Sequence, residues 1–117
     1  MRIEKSNPDI PKGWYAGPWD SDLDISLGFA NEGVDEAHLH RRMREIYFMA
    51  RGSVEMRVEQ ETVTLGQDDI IIIEPGEAHT FLSSSPDHFH FVIQTPGLQG
   101  DAAKADKVLV PRERLGL

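Results

Sequence analysis

The stretch "HLHRRMREIYFMARG", residues 38–52, decides how this chain is read. On a strand, residues two apart point the same way, so His38 and His40 project from one face with Cα atoms roughly 6–7 Å apart. Their imidazoles can then converge on an ion about 2.0–2.1 Å from each nitrogen. Glu45 lies at an odd separation from His40, which puts it on the opposite face of any unbroken strand. It joins the histidines only if the chain turns within the polar "RRMR" of residues 41–44 and carries Glu45 onto a neighbouring strand.

The flanking segments supply the strands. "EIYFMA" (45–50) and "DIIIIE" (69–74) are apolar at successive positions, the pattern of strands covered on both faces. "LDISLGF" (23–29) alternates, with Leu23, Ile25, Leu27 and Phe29 sharing one face. "SVEMRVEQETVTL" (53–65) reads as a hairpin with a Glu59-Gln60-Glu61 tip, and "FHFVIQT" (89–95) closes the series. Gly33, Gly52, Gly66 and Pro75-Gly76 punctuate strands that recur about every ten residues, as an antiparallel sandwich or barrel requires. The fold class expected is all-β. Residues 1–22, with Pro8, Pro11, Pro18, Trp14, Tyr15 and Trp19, form an N-terminal arm in extended or turn conformation. Residues 23–95 form the barrel, and 96–117 a tail with at most a short helix around 100–108.

A fourth ligand must come from a distant segment that ends near the same place. In "EPGEAH" (74–79), Pro75-Gly76 suits the centre of a type II turn, and His79 follows on a strand expected to run antiparallel to "IIII". Three imidazoles and a carboxylate make a thiolate-free site suited to one divalent ion per chain, Fe, Mn, Ni or Zn. His88 and His90 repeat the His-x-His spacing without a carboxylate or third histidine to complete it, and read as a wet face or as pocket lining. Tyr47 and Met49 share the strand face of Glu45. Tyr47, Glu77 and His90 are the candidate catalytic groups. Arg41 and Arg42 are solvated turn residues, or one of them holds a substrate carboxylate or phosphate at the rim.

The bulk properties bound what such a site serves. A chain of 117 residues is one domain. It has no cysteine, so disulfides and thiolate metal sites are excluded. A net charge of -8 argues against nucleic acid as a partner. The N-terminal "MRIEKSNPDIPKGW" has no apolar signal core, and "IIII" is far too short to span a bilayer, so a soluble, cytoplasmic protein is expected.

Together the two motifs resemble those of a small single-domain cupin of the conserved-barrel type. The first reads Gly33-x4-His38-x-His40-x4-Glu45-x6-Gly52, one residue short at the front, and the second runs from Gly66 through "IIIEPGEAHTFLS". Glu74 stands where the second motif would have its first proline, the spacing from Gly66 is longer than usual, and Ser83 stands where it would have asparagine. The resemblance covers roughly residues 23–95. It implies a double-stranded β-helix, or jelly-roll barrel, with the ion held in its mouth by His38, His40, Glu45 and His79. It also implies a homodimer, since open jelly rolls must cover their edges; the arm would pack on its own barrel or on the partner. The function expected is a metal-dependent enzyme acting on a small polar or anionic molecule, by oxygenase, decarboxylase, isomerase or lyase chemistry. The alternative is a non-catalytic module that binds a sugar or small acid.

Overall fold

A computed structural model describes residues 1–117. One sheet contains β1 (Lys12–Ala16), β2 (Ser26–Ala30), β4 (Arg44–Arg51), β7 (Ile70–Ile73) and β9 (Phe89–Thr95), in the order β1-β2-β9-β4-β7. The facing sheet contains β3 (His38–His40), β5 (Val54–Val58), β6 (Glu61–Leu65), β8 (His79–Ser84) and β10 (Lys107–Leu109), in the order β10-β3-β8-β5-β6. Every pairing is antiparallel, so the chain is an all-β jelly roll with one short helix, α1 (Gly100–Asp106).

Period-2 alternation builds the interior. Glu45, Tyr47 and Met49 point inward from β4 and are buried, while Arg44 and Phe48 on the other face are exposed. Tyr47, Met49, Val54, Met56, Leu65 and Ile73 pack as one apolar cluster between the sheets. The 53–65 hairpin forms as expected, with Val58 opposite Glu61 and Glu59 in the left-handed region at φ 48°. Gly52 makes the turn from β4 to β5 at φ 72°, and a Cβ there would strike the Ser85 hydroxyl and the Asp87 carboxylate. Glycine is required at that point for both reasons.

Several expectations are corrected. β4 and β7 are covered on one face only: on the outer face of their sheet Phe48, Ile70, Ile72 and Phe91 are 38, 54, 52 and 37% exposed. The registers Phe48↔Phe91, Phe48↔Ile70, Ile46↔Ile72 and Ile46↔Ile93 place these residues side by side, giving an apolar outer surface. His79 does not lie antiparallel to "IIII", because Pro75-Gly76 carries the chain across to the other sheet, where β8 pairs with β3 and β5. The strand expected at 23–29 begins at Ser26, since Leu23 is taken into a turn by the Ser21 hydroxyl, which accepts its N–H at 3.2 Å.

The termini also hold structure that short-range pattern did not reveal. β1, in the N-terminal arm, pairs with β2, yet Trp14 and Trp19 stay 50 and 43% exposed and meet edge-on at 5.7 Å. In the tail α1 is followed by β10, which pairs with β3, and by a single 3-10 turn at Arg112–Leu115. Three-residue strands are too short to show a period. No helix of the chain is long and apolar enough to cross a membrane.

Met56 has no exposed surface and lies at the centre of the apolar cluster. We expect Met56→Ala to lower unfolding stability by about 2–5 kcal/mol in a denaturant titration, through the cavity it leaves. A loss well under 1 kcal/mol would mean that the cluster is not the core.

Candidate metal centre and ligand pocket

Three strands from two sheets meet at one carboxylate. The chain leaves β3 after His40, turns at Arg41–Met43 and enters β4 in the opposite sheet, so Glu45 faces the histidines across the interior. Met43 is buried and anchors that turn, while Arg41, Arg42 and Arg44 stay at the surface. His38 and His79 are direct register partners on β3 and β8, with ring centroids 4.4 Å apart. The Nε2 atoms of His40, His79 and His38 lie 2.9, 3.1 and 3.6 Å from the same atom, Glu45 Oε1. One donor atom each from His38, Glu45 and His79 fall within 4.8 Å of one another, and His40 joins them through Glu45. The other carboxylate oxygen, Oε2, accepts a hydrogen bond from Gln94 Nε2 at 3.2 Å, which fixes the plane of the group.

The back of each ring decides what its front can do. Nδ1 of His38 faces the Glu36 carbonyl at 2.7 Å, and Nδ1 of His79 faces the Glu77 carbonyl at 3.0 Å. Nδ1 of His40 faces Asp106 Oδ2 at 3.0 Å. All three partners are acceptors, so each Nδ1 carries the proton and donates it. In the neutral rings each Nε2 is then a bare lone pair, aimed at the point where Glu45 also presents negative charge. Converging lone pairs around a carboxylate are satisfied by a cation, so this donor set can hold a divalent metal.

Electrostatics sharpen the same picture. Burial pushes the Glu45 carboxyl up, but the facing Nε2 atoms of His38, His40 and His79, where they carry a proton in place of a metal, outweigh it and hold the group well below its usual range. Burial works against charge on His40, yet Glu45 and then Asp106 reverse the balance and raise its pKa. A proton and a metal ion therefore compete for His40 Nε2, and metal affinity falls as pH falls. Burial, then the charge of Glu45, lifts the Tyr47 phenol well above its ordinary value, so it stays protonated.

The cluster opens into a cavity of about 560 Å³. Tyr47, Phe81, Val92, Gln94 and His90 line its depth, and Lys12, Trp14 and Lys107 stand among its outer residues. Of the candidate groups, Tyr47 and His90 line the cavity. Glu77 does not; its Oε1 accepts the Glu74 N–H at 2.8 Å and closes the turn. Arg41 and Arg42 do not reach the cavity either, and its cations are Lys12 and Lys107. His88 and His90 are no wet face: both are buried, because the strand face that carries them points between the sheets.

Asp106 is the member of this centre that sequence reading missed. Its side chain is fully buried at the end of α1; one oxygen receives His40 Nδ1–H and the other the Arg42 N–H at 2.7 Å. No local signal marks it, since it sits in a polar "KADK" run 66 residues from its partner. Lys12, Trp14 and Lys107 were likewise not read as pocket residues, because β1 and β10 bring them there.

The model of the Cupin domain matches residues 28–93. The structure of Pac13, described as a unique nucleoside dehydratase, superposes with TM-score 0.69 at 14% identity, covering 93% of this chain and 92% of that one. A Streptomyces PAC13 variant with uridine gives 0.70 at 16% identity, over 86 and 77% of the two chains. KdgF from Halomonas sp. gives 0.64 at 19% identity, over 84 and 90%. At these identities the likeness is one of fold. No curated protein sequence matches the chain.

Because both Asp106 oxygens accept hydrogen bonds, Asp106→Asn sets an amide N–H against one of its donors. We expect zinc affinity, read by competition with a chelator, to weaken roughly 10–100-fold with the fold intact. Unchanged affinity would show that this carboxylate does not support His40.

Proposed function

The chain belongs to the cupin family, and from that premise we propose that it is a metal-dependent enzyme acting on a small polar or anionic molecule. His38, His40, Glu45 and His79 would hold one divalent ion. The observation that carries this reading is the convergence of three Nε2 atoms on Glu45 Oε1 beside a ligand-sized cavity. A metal held there would supply Lewis-acid polarisation of a bound oxygen, or activation of water or dioxygen.

The chain's own residues define what enters. The exposed ring of Trp14 and the half-buried ring of Phe81 offer flat apolar surfaces to a ring-shaped molecule. At the outer part of the cavity Lys107 is paired with Glu36 at 2.5 Å, and Lys12 and Glu32 stand beside them, so the rim offers charges of both signs to a strongly polar substituent. Tyr47 keeps its proton and is a donor to ligand rather than a base. Uridine, seen in the PAC13 variant, is a polar ring molecule of this general kind.

A second reading, a module that binds a sugar or small acid without turnover, rests on a different observation. Tyr47 is held protonated, Gln94 is tied to Glu45, and Glu77 turns away. No free general base stands beside the cluster in that arrangement. Thermal stabilisation by a ligand, without product formation, separates this reading from the first.

We also propose that a second copy of the chain covers the outer face of the β1-β2-β9-β4-β7 sheet. An apolar face of this breadth on a single sheet is the mark of an interaction surface. Phe48, Phe91, Ile70 and Ile72 form its centre, and the Arg44–Glu74 pair stands at its edge. The absence of acidic groups at that centre removes the repulsion that two chains of charge -8 would otherwise meet there.

Two measurements test these readings. Elemental analysis of protein purified without chelators or nickel resin should find a near-stoichiometric divalent metal, lost in His79→Ala. A protein that carries no metal and takes up none would overturn the enzyme reading. Sedimentation at micromolar concentration should give a dimer that Ile72→Lys converts to monomer. A wild-type monomer would sink the proposed pairing.

A further inference from the structure

His88 and His90 take no part in the metal cluster, yet they are 1 and 3% exposed. Their rings lie edge to edge and nearly coplanar, with centroids 4.8 Å and planes 22° apart, and His88 Nε2 lies 2.6 Å from His90 Nδ1, so one N–H is shared between them. His88 Nδ1 is buried with no partner at all. Phe81 stacks on the His90 ring at 5.2 Å and 16°, and Tyr47 meets it edge-on at 5.2 Å, so the ring is held on both sides. His90 also lines the cavity. Its Nδ1 is taken by His88, which leaves Nε2 as the nitrogen for a ligand.

Two proton arrangements fit the shared bond. If His90 Nδ1–H donates to His88, then His88 Nδ1 must carry a buried N–H with nothing to receive it. If His88 Nε2–H donates to His90, the unpartnered atom is a bare lone pair. Orphaned buried N–H groups are rarer in proteins than under-satisfied acceptors, which favours the second arrangement. His90 then carries its own proton on Nε2. Burial supports neutral rings: it lowers the His88 pKa, and burial with the neighbouring His88 lowers that of His90 to about 4. The pair is no proton relay, because the path ends at His88 Nδ1.

We propose that His88 and His90 form a fixed imidazole pair in which His88 sets the tautomer of His90. The His90 Nε2–H then binds an acceptor oxygen of the ligand at the end of the cavity away from Glu45. The inference rests on the reading of this cavity as a ligand site. The registers Glu45↔Gln94 and Met49↔His90 separate the two ends by four residues along β9, about 13 Å at the usual strand rise. The ligand class that fits carries a carbonyl, carboxylate or hydroxyl oxygen at that remote end, and not an ammonium group. His88 is the positioning residue, and His90 is the one that touches ligand.

Long-range proton–nitrogen NMR on zinc-loaded protein labelled with nitrogen-15 at histidine tests this directly. Both rings should show a protonated Nε2 and a bare Nδ1 at neutral pH. Acetate should move the His90 Nε2–H signal, and methylammonium should not. His88→Leu should leave His90 as a mixture of tautomers, and His88→Gln, whose amide N–H can still donate to Nδ1, should restore the single form. A His90 protonated on Nδ1 would overturn the proposal even if His88→Leu failed to fold. So would a signal that responds to methylammonium or ignores acetate. The Nε2 signals of His38, His40 and His79 report zinc binding in the same spectra, so failure of the metal reading is seen separately.

Discussion

Glu45 projects from one sheet, and the three histidines that meet it, His38, His40 and His79, project from the other. A carboxylate buried to this depth is tolerated only when it is paired and hydrogen-bonded, because burial alone disfavours its charge. The pairing spans the gap between sheets, so the open end of the jelly roll is held at the spacing the site needs. The rings, in turn, are fixed from behind by two backbone carbonyls and the Asp106 carboxylate. Chemistry and architecture therefore share the same contacts here.

The outer surroundings of that centre come in part from the chain beyond the matched family region. The model match runs from 28 to 93, whereas Lys12 and Trp14 lie on β1 and Asp106 and Lys107 at the junction of α1 and β10. β1 adds to the edge of one sheet and β10 to the edge of the other, next to β3. Their side chains stand at the outer part of the cavity for that reason. The metal-type donor set and the depth of the cavity belong to the barrel, while the arm and tail add to its outer part.

The outer face of the first sheet carries the opposite message. Its strands are apolar on both sides, yet only the inner side has a cover within the chain. A continuous apolar run such as "IIII" states that two faces avoid water, and it is silent on whether the second cover belongs to the same molecule.

Much of the fold and the centre of the site were legible in the sequence. Period-2 alternation, the hairpin of 53–65 and the glycine punctuation follow from local steric rules that operate within a few residues. His38 and His40 follow from the same rule, and Glu45 from the turn that its odd spacing demands. Tertiary structure alone decided the rest. It moved His79 to the sheet opposite "IIII", buried His88 and His90 as a bonded pair, and brought Asp106 behind His40 across 66 residues. Strand alternation says which side chains share a face; which faces meet is set by packing between segments far apart in the chain, where no local pattern reaches.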